Sequence, residues 1–96
     1  MRELRFRELA RQVIDKIWRY SRKTYPLASA ENYYNGLLDK IESLQSDILL
    51  ARRFKGSIDL SYVKYGSHFI YFRATPTVVQ IVRVLHERRD QAKFLS

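Results

Sequence analysis

The sequence predicts a single α+β domain over residues 1–96: a short N-terminal strand, an antiparallel two-helix hairpin, and a three-stranded antiparallel meander with a short basic C-terminal tail. Three observations predict it. Apolar residues recur at helical spacing from residue 8 to about residue 45 and at a spacing of two after residue 56. Pro26 and Gly66 fall where the helical half and the strand half each need a break. The chain has 96 residues, the size of one domain, which leaves no room for a second core or a separate cofactor domain.

Leu4 and Phe6 alternate with charged residues, as a strand with one buried face does. From Glu8 the period changes. Ala10, Val13, Ile14, Ile17 and Trp18 follow the three-and-four spacing of an amphipathic helix, with Arg11, Lys16, Arg19, Arg22 and Lys23 mostly on the other arc. Pro26 ends this helix. A second helix is expected from Ser29 as N-cap, with Glu31 in its first turn, carrying Ala30, Tyr34, Leu37, Leu38, Ile41 and Leu44 and stopping near Gln45. Residues 46–55 read as a connection. After Gly56, the alternation of Ile58, Leu60 and Tyr62 marks a strand; Gly66 and Ser67 turn the chain into residues 68–73, and residues 74–77 turn it into residues 78–85. The last of these strands is apolar on both faces, so it is expected in the interior of the sheet, with helices on one side and other cover on the far side.

Eighteen Lys and Arg against ten Asp and Glu give a net charge of +8, which favours an anionic macromolecular partner. The excess is uneven: residues 25–51 contain Lys40 alone against Glu31, Asp39, Glu42 and Asp47. With no cysteine, a disulfide framework and thiolate metal ligation are excluded. Charges at Arg2, Glu3, Arg5, Arg7 and Glu8 interrupt the stretch where a secretory signal needs an apolar run, and no segment spans a bilayer, so a cytoplasmic protein without membrane association is expected.

Few residue sets carry chemistry. His68 and His86 are the only histidines and have no cluster of carboxylates around them, so no metal site and no cofactor are expected. Gly36, Gly56 and Gly66 are isolated and form no phosphate loop. Cleavage of RNA by its own 2′-OH requires only a base, an acid and cations, and His68, His86, Arg73, Arg83, Arg88 and Arg89 are of those types. Strict alternation, however, places Arg83 with Leu85 on one face and Val82, Val84 and His86 on the other. A strand-end histidine bonded to backbone is the simpler reading of either imidazole. Phe94 and Leu95, apolar residues after a charged run, are expected to dock on the core or on a partner.

The run Ile81-Val82-Arg83-Val84-Leu85-His86-Glu87-Arg88-Arg89-Asp90 resembles the end of the last strand in the ParE branch of the RelE/ParE toxin superfamily. The run from Lys64 through Gly66 and His68 to Arg73 resembles that family's penultimate strand, and Ala10, Ile14, Ile17 and Tyr20 match its first-helix spacing. The resemblance implies a type II toxin that inhibits DNA gyrase, and so replication, by binding, without catalysis of its own, and that is neutralised in a hetero-oligomer by a ParD-like antitoxin. It implies target contacts at Arg73, Arg83, His86, Arg88, Arg89 and Asp90, and antitoxin contacts at Arg11, Trp18, Tyr34, Tyr62 and Tyr71. Ribosome-dependent mRNA cleavage of the RelE type, or a non-toxic relative that only binds antitoxin, are the alternatives. His68 stands where those ribonucleases commonly carry a strand arginine, and Glu87 where another is expected.

Overall fold

A computed structural model describes residues 1–55 and 59–95. Strand β1 (Glu3–Phe6) leads through Arg7 into helix α1 (Glu8–Thr24), whose first turn carries Glu8 and whose last carries Arg22 and Lys23, both favourable to the helix dipole. Helix α2 (Leu27–Ser43) follows after only Tyr25 and Pro26. It starts two residues before the expected Ser29 because Pro26, with φ −55°, itself occupies the boundary position and presets the backbone for the first turn. Trp18 and Tyr34, eight residues either side of Pro26, meet with ring centroids 5.0 Å apart, so the helices fold back on each other as the expected hairpin. Helix α2 ends at Ser43, with Leu44 and Gln45 in the tightened last turn that bonds Ile41 and Glu42 carbonyls.

The connection contains an element that periodicity did not reveal. Strand β2 (Arg52–Arg53) is two residues long and pairs antiparallel with β3 (Ser61–Tyr65). The meander then continues as expected through β4 (His68–Ala74) and β5 (Val78–His86). Gly56 and Ile58, where the alternation was expected to begin, lie outside the described residues. Gly66 turns β3 into β4 with φ +53°, a conformation glycine adopts without strain.

The sheet is mixed and five-stranded, in the order β1-β5-β4-β3-β2, so the expected three-stranded meander is extended on both sides. Strand β1 lies parallel to β5, Glu3 opposite Val78 and Phe6 opposite Ile81. Strand β5 is therefore interior, as its two apolar faces require. On one face α1 and α2 bury Ala10, Ile14, Ile17, Leu37 and Ile41 against Ile70, Phe72, Val79, Ile81 and Val84. On the other, Leu60, Tyr71, Val82 and Leu85 form a second, smaller cluster, covered by Phe54 and by Leu95. Leu95 comes from helix α3 (Gln91–Leu95), so the basic tail ends in a short helix and its apolar end docks on the core, one of the two expected outcomes. Among the described residues no helix is long and apolar enough to cross a membrane.

Candidate functional site

Strand β1 pairs with β5 only as far as Ile81, and the chain leaves β1 by a bond from the Arg7 N–H to the Ile81 carbonyl. Among the described residues, β5 beyond Ile81 has no strand on that side. Helix α1, the start of α2 and α3 surround this free edge and leave a groove of about 790 Å3. Its wall toward the helices carries the apolar Leu9, Val13 and Ile17 with Lys16 among them, and its opposite wall is formed by His68 of β4, by Arg83 and His86 of β5 and by Arg89 after it.

A β-bulge interrupts β5 just before Arg83. Tyr71 pairs with Arg83 but Phe72 pairs with Ile81, so Val82 is the extra residue. The side-chain alternation changes phase there: Val79, Ile81 and Val84 join the helix-side cluster, whereas Val82 and Leu85 join the other. Val82 alone departs from the expected faces: Arg83, opposite Tyr71, stays with Leu85, and His86, opposite His68, stays with Val84 on the helix side. Arg83 lines both the groove and a smaller cavity of about 450 Å3 on its far side, where Arg7 and Arg73 also lie.

His68 and His86 sit directly opposite each other on β4 and β5, with ring centroids 5.2 Å apart and near perpendicular. The Tyr33 hydroxyl approaches His68 Nδ1 at 2.7 Å and the Tyr65 carbonyl at 3.2 Å, and it accepts the Ser67 N–H at 3.1 Å. Burial lowers the His68 pKa to about 4, with the neighbouring His86 acting in the same direction and Glu87 opposing, so this imidazole is neutral at pH 7. Burial also raises the Tyr33 phenol, against the Ser67 hydrogen bond. His86 Nδ1 accepts the Arg88 N–H at 3.1 Å, which in the neutral ring places the proton on Nε2. Among the described residues no group of three or more potential metal ligands accompanies the pair.

The expected target-contact residues divide between two roles. Arg83, His86 and Arg89 share the groove, and the exposed Arg88 adjoins it through its bond to His86. Asp90 instead caps α3, its Oδ1 accepting the Lys93 N–H at 3.3 Å. Arg73 lies across the sheet and pairs with Asp59 at 3.0 Å. The expected antitoxin contacts are more dispersed. Trp18 and Tyr34 meet at the hairpin seam, Arg22 covers Trp18 with 5.8 Å from guanidinium to ring, and Arg11 covers Phe6. Tyr62 and Tyr71 lie in the second cluster on the opposite face, and Tyr71 is 2% exposed, its hydroxyl donating to Gln91 Oε1 at 2.6 Å and its pKa pushed by burial to about 12. No single surface holds all five.

Sequence reasoning passed over Tyr33, Leu9 and Lys16, which line the groove. Tyr33 was legible in principle, since Ala30, Tyr33, Leu37, Ile41 and Leu44 form one face at spacings of three and four. Its contact with His68 depends on the hairpin docking on the sheet and has no local signature.

Over residues 4–91 the sequence matches the family model described as ParE toxin of type II toxin-antitoxin system, parDE. A solved chain from the chromosomal ParDE TA system of P. aeruginosa superposes with a TM-score of 0.75 at 17% identity, covering 90% of this chain and 96% of that one. A chain from the E. coli DinJ-YafQ complex gives a TM-score of 0.56 at 8% identity, covering 100% of each. At these identities the two structures establish a shared fold. Comparison with curated proteins gives no match.

Proposed function

Because the chain belongs to the ParE toxin family of type II toxin-antitoxin systems, we propose that it is a non-catalytic toxin that binds DNA gyrase through residues 83–90, halts replication in the cytoplasm, and is neutralised by a ParD-like antitoxin. The observation that carries this reading is the state of the two histidines. Proton-transfer cleavage needs an acid and a base within reach of the substrate. His68, with its pKa at about 4 and its Nδ1 against Tyr33, donates no proton at pH 7, and the Nδ1 of His86 is occupied by the Arg88 N–H. What the groove offers a partner is cation and apolar surface, and these bind.

An acidic, amphipathic antitoxin segment suits both a net charge of +8 and a groove with one apolar wall and one basic wall. Purified toxin is expected to inhibit gyrase supercoiling or to trap cleaved DNA, and Arg83→Gln and Arg89→Gln to raise the concentration needed. Unimpaired supercoiling at high toxin concentration would overturn the gyrase reading.

One observation favours a second reading. Arg83 and His86 line the same groove from the two faces of the free β5 edge, the proximity that ribonuclease chemistry requires. A ribosome-dependent ribonuclease using His86 with Arg83 or Arg88 predicts cut messages in a translation mixture, abolished by His86→Ala. Intact messages remove it.

A further inference from the structure

The ring of Phe94 has two guanidinium groups over it, Arg83 Cζ 5.6 Å from its centroid and Arg89 Cζ 5.3 Å from it. Arg83 Nε is buried and, among the described residues, has no hydrogen-bond partner. A buried charged donor left unpaired is unfavourable, and a ring face satisfies the charge without accepting the N–H directionally. The slot is therefore occupied by a group that matches it incompletely.

The occupant is weakly held. Phe94 is 37% exposed, and its own N–H reaches the Asp90 carbonyl at a long 3.4 Å. The bonds that anchor α3 are at its first residue, where Gln91 Nε2 donates to the carbonyls of His86 and Arg89 and Oε1 accepts from Tyr71. The Phe94 side chain can rotate away with those bonds and the packing of Leu95 intact. Phe94 and Arg83 also form the wall between the groove and the smaller cavity, since both residues line each of them. Leu9 lines both as well, and the cations Lys16, Arg89, Arg83, Arg7 and Arg73 are distributed over the two cavities on either side of these shared residues.

We propose that the slot between Arg83 and Arg89 binds an unpaired nucleobase of single-stranded nucleic acid, with Phe94 as its stand-in in the free protein and the flanking cations holding the phosphodiester backbone. A base has a flat face for the Arg89 guanidinium, as the phenyl ring does, and adds ring and exocyclic acceptors at its edge for the Arg83 N–H. A line of cations running both ways from an aromatic slot suits a linear polyanion carrying flat groups. A carboxylate would satisfy Arg83 but leaves the space of the ring empty. A paired base is unavailable to the slot unless it leaves the duplex. This site is independent of gyrase as the target.

The test is fluorescence anisotropy of the purified full chain, without gyrase, on a short fluorescein-labelled oligothymidylate and on the same strand annealed to oligoadenylate. The single strand is expected to bind more tightly. Arg83→Gln and Arg89→Gln each weaken binding about fivefold or more, and each reduces the salt slope by about one phosphate. Phe94→Ala strengthens it by vacating the slot. Arg89 is exposed, so its variant serves even if Arg83→Gln destabilises the fold, which circular dichroism monitors. Equal losses in an Arg5→Gln control, tighter binding of the duplex, weakening by Phe94→Ala, or displacement by polyglutamate as efficient as by unlabelled strand overturns the proposal. Failure here with gyrase inhibition intact removes the slot alone; the converse removes the gyrase reading alone.

Discussion

The absence of a side chain at Gly36 lets the Tyr65 hydroxyl lie against α2, where any Cβ would overlap it. Tyr65 packs on Tyr33 with ring centroids 5.2 Å apart, and Tyr33 in turn lies over Gly66, so two glycines and two tyrosines interlock the hairpin with the β3–β4 turn. Gly36→Ala is expected to destabilise the protein by about 1–3 kcal/mol despite its helix-favouring side chain, because the overpacking exceeds the propensity gain. A urea titration measures it, and an unchanged midpoint would contradict the interlock. His68 gives the second residue-scale prediction. Its folded pKa lies below its unfolded value of about 6.5, so its contribution is full above pH 6.5 and is lost as pH falls toward 4, where the unfolded chain takes up the proton first. After allowance for partial exposure this amounts to about 1–2 kcal/mol. Stability curves of wild type and His68→Gln should converge as pH falls through this window, and parallel curves would show that His68 does not titrate there. Gly66 as a turn was legible from local chemistry, but the tyrosine over His68 was not, because it comes from α2, 35 positions earlier in the chain.

Among elements, those with a sustained period were the ones the sequence revealed. Helices α1 and α2 and strands β4 and β5 each repeat their pattern over seven or more residues. Strand β2, with two exposed arginines, repeats nothing, and α3 is shorter than two helical turns. The bulge in β5 escaped for a different reason: a strand apolar on both faces looks the same before and after a change of phase, and no glycine marks the site. The candidate site depends on these less legible parts: the free β5 edge, around which Arg83 and His86 meet in one groove from opposite faces, has no signature in the sequence. Gln91 holds α3 through three hydrogen bonds, one of them to the buried Tyr71. Gln91→Ala is expected to lower stability by about 1–2 kcal/mol and to speed amide exchange in residues 91–95. Unchanged exchange there would mean that Leu95 packing alone holds the helix.

For the whole molecule, the charge and the core oppose each other. A net charge of +8 on 96 residues repels itself, and the ion pairs among the described residues, Arg5 with Glu3, Lys64 with Glu87 and Arg73 with Asp59, are solvent-exposed to a degree that makes each weak. The melting temperature is therefore expected to rise with added salt at neutral pH, as screening relieves the repulsion. A fall between low and physiological ionic strength, followed by calorimetry, would mean that the exposed ion pairs outweigh it. One further consequence follows from β1 lying parallel to β5. Glu3 finds its partner only in Val78, so a chain growing from its N-terminus cannot close the sheet until almost all of it has been synthesised. Residues 83–90 emerge later still. During translation the nascent chain thus has neither its completed sheet nor its basic groove, and the cell that makes this protein has the whole of that interval in which nothing harmful has yet been assembled.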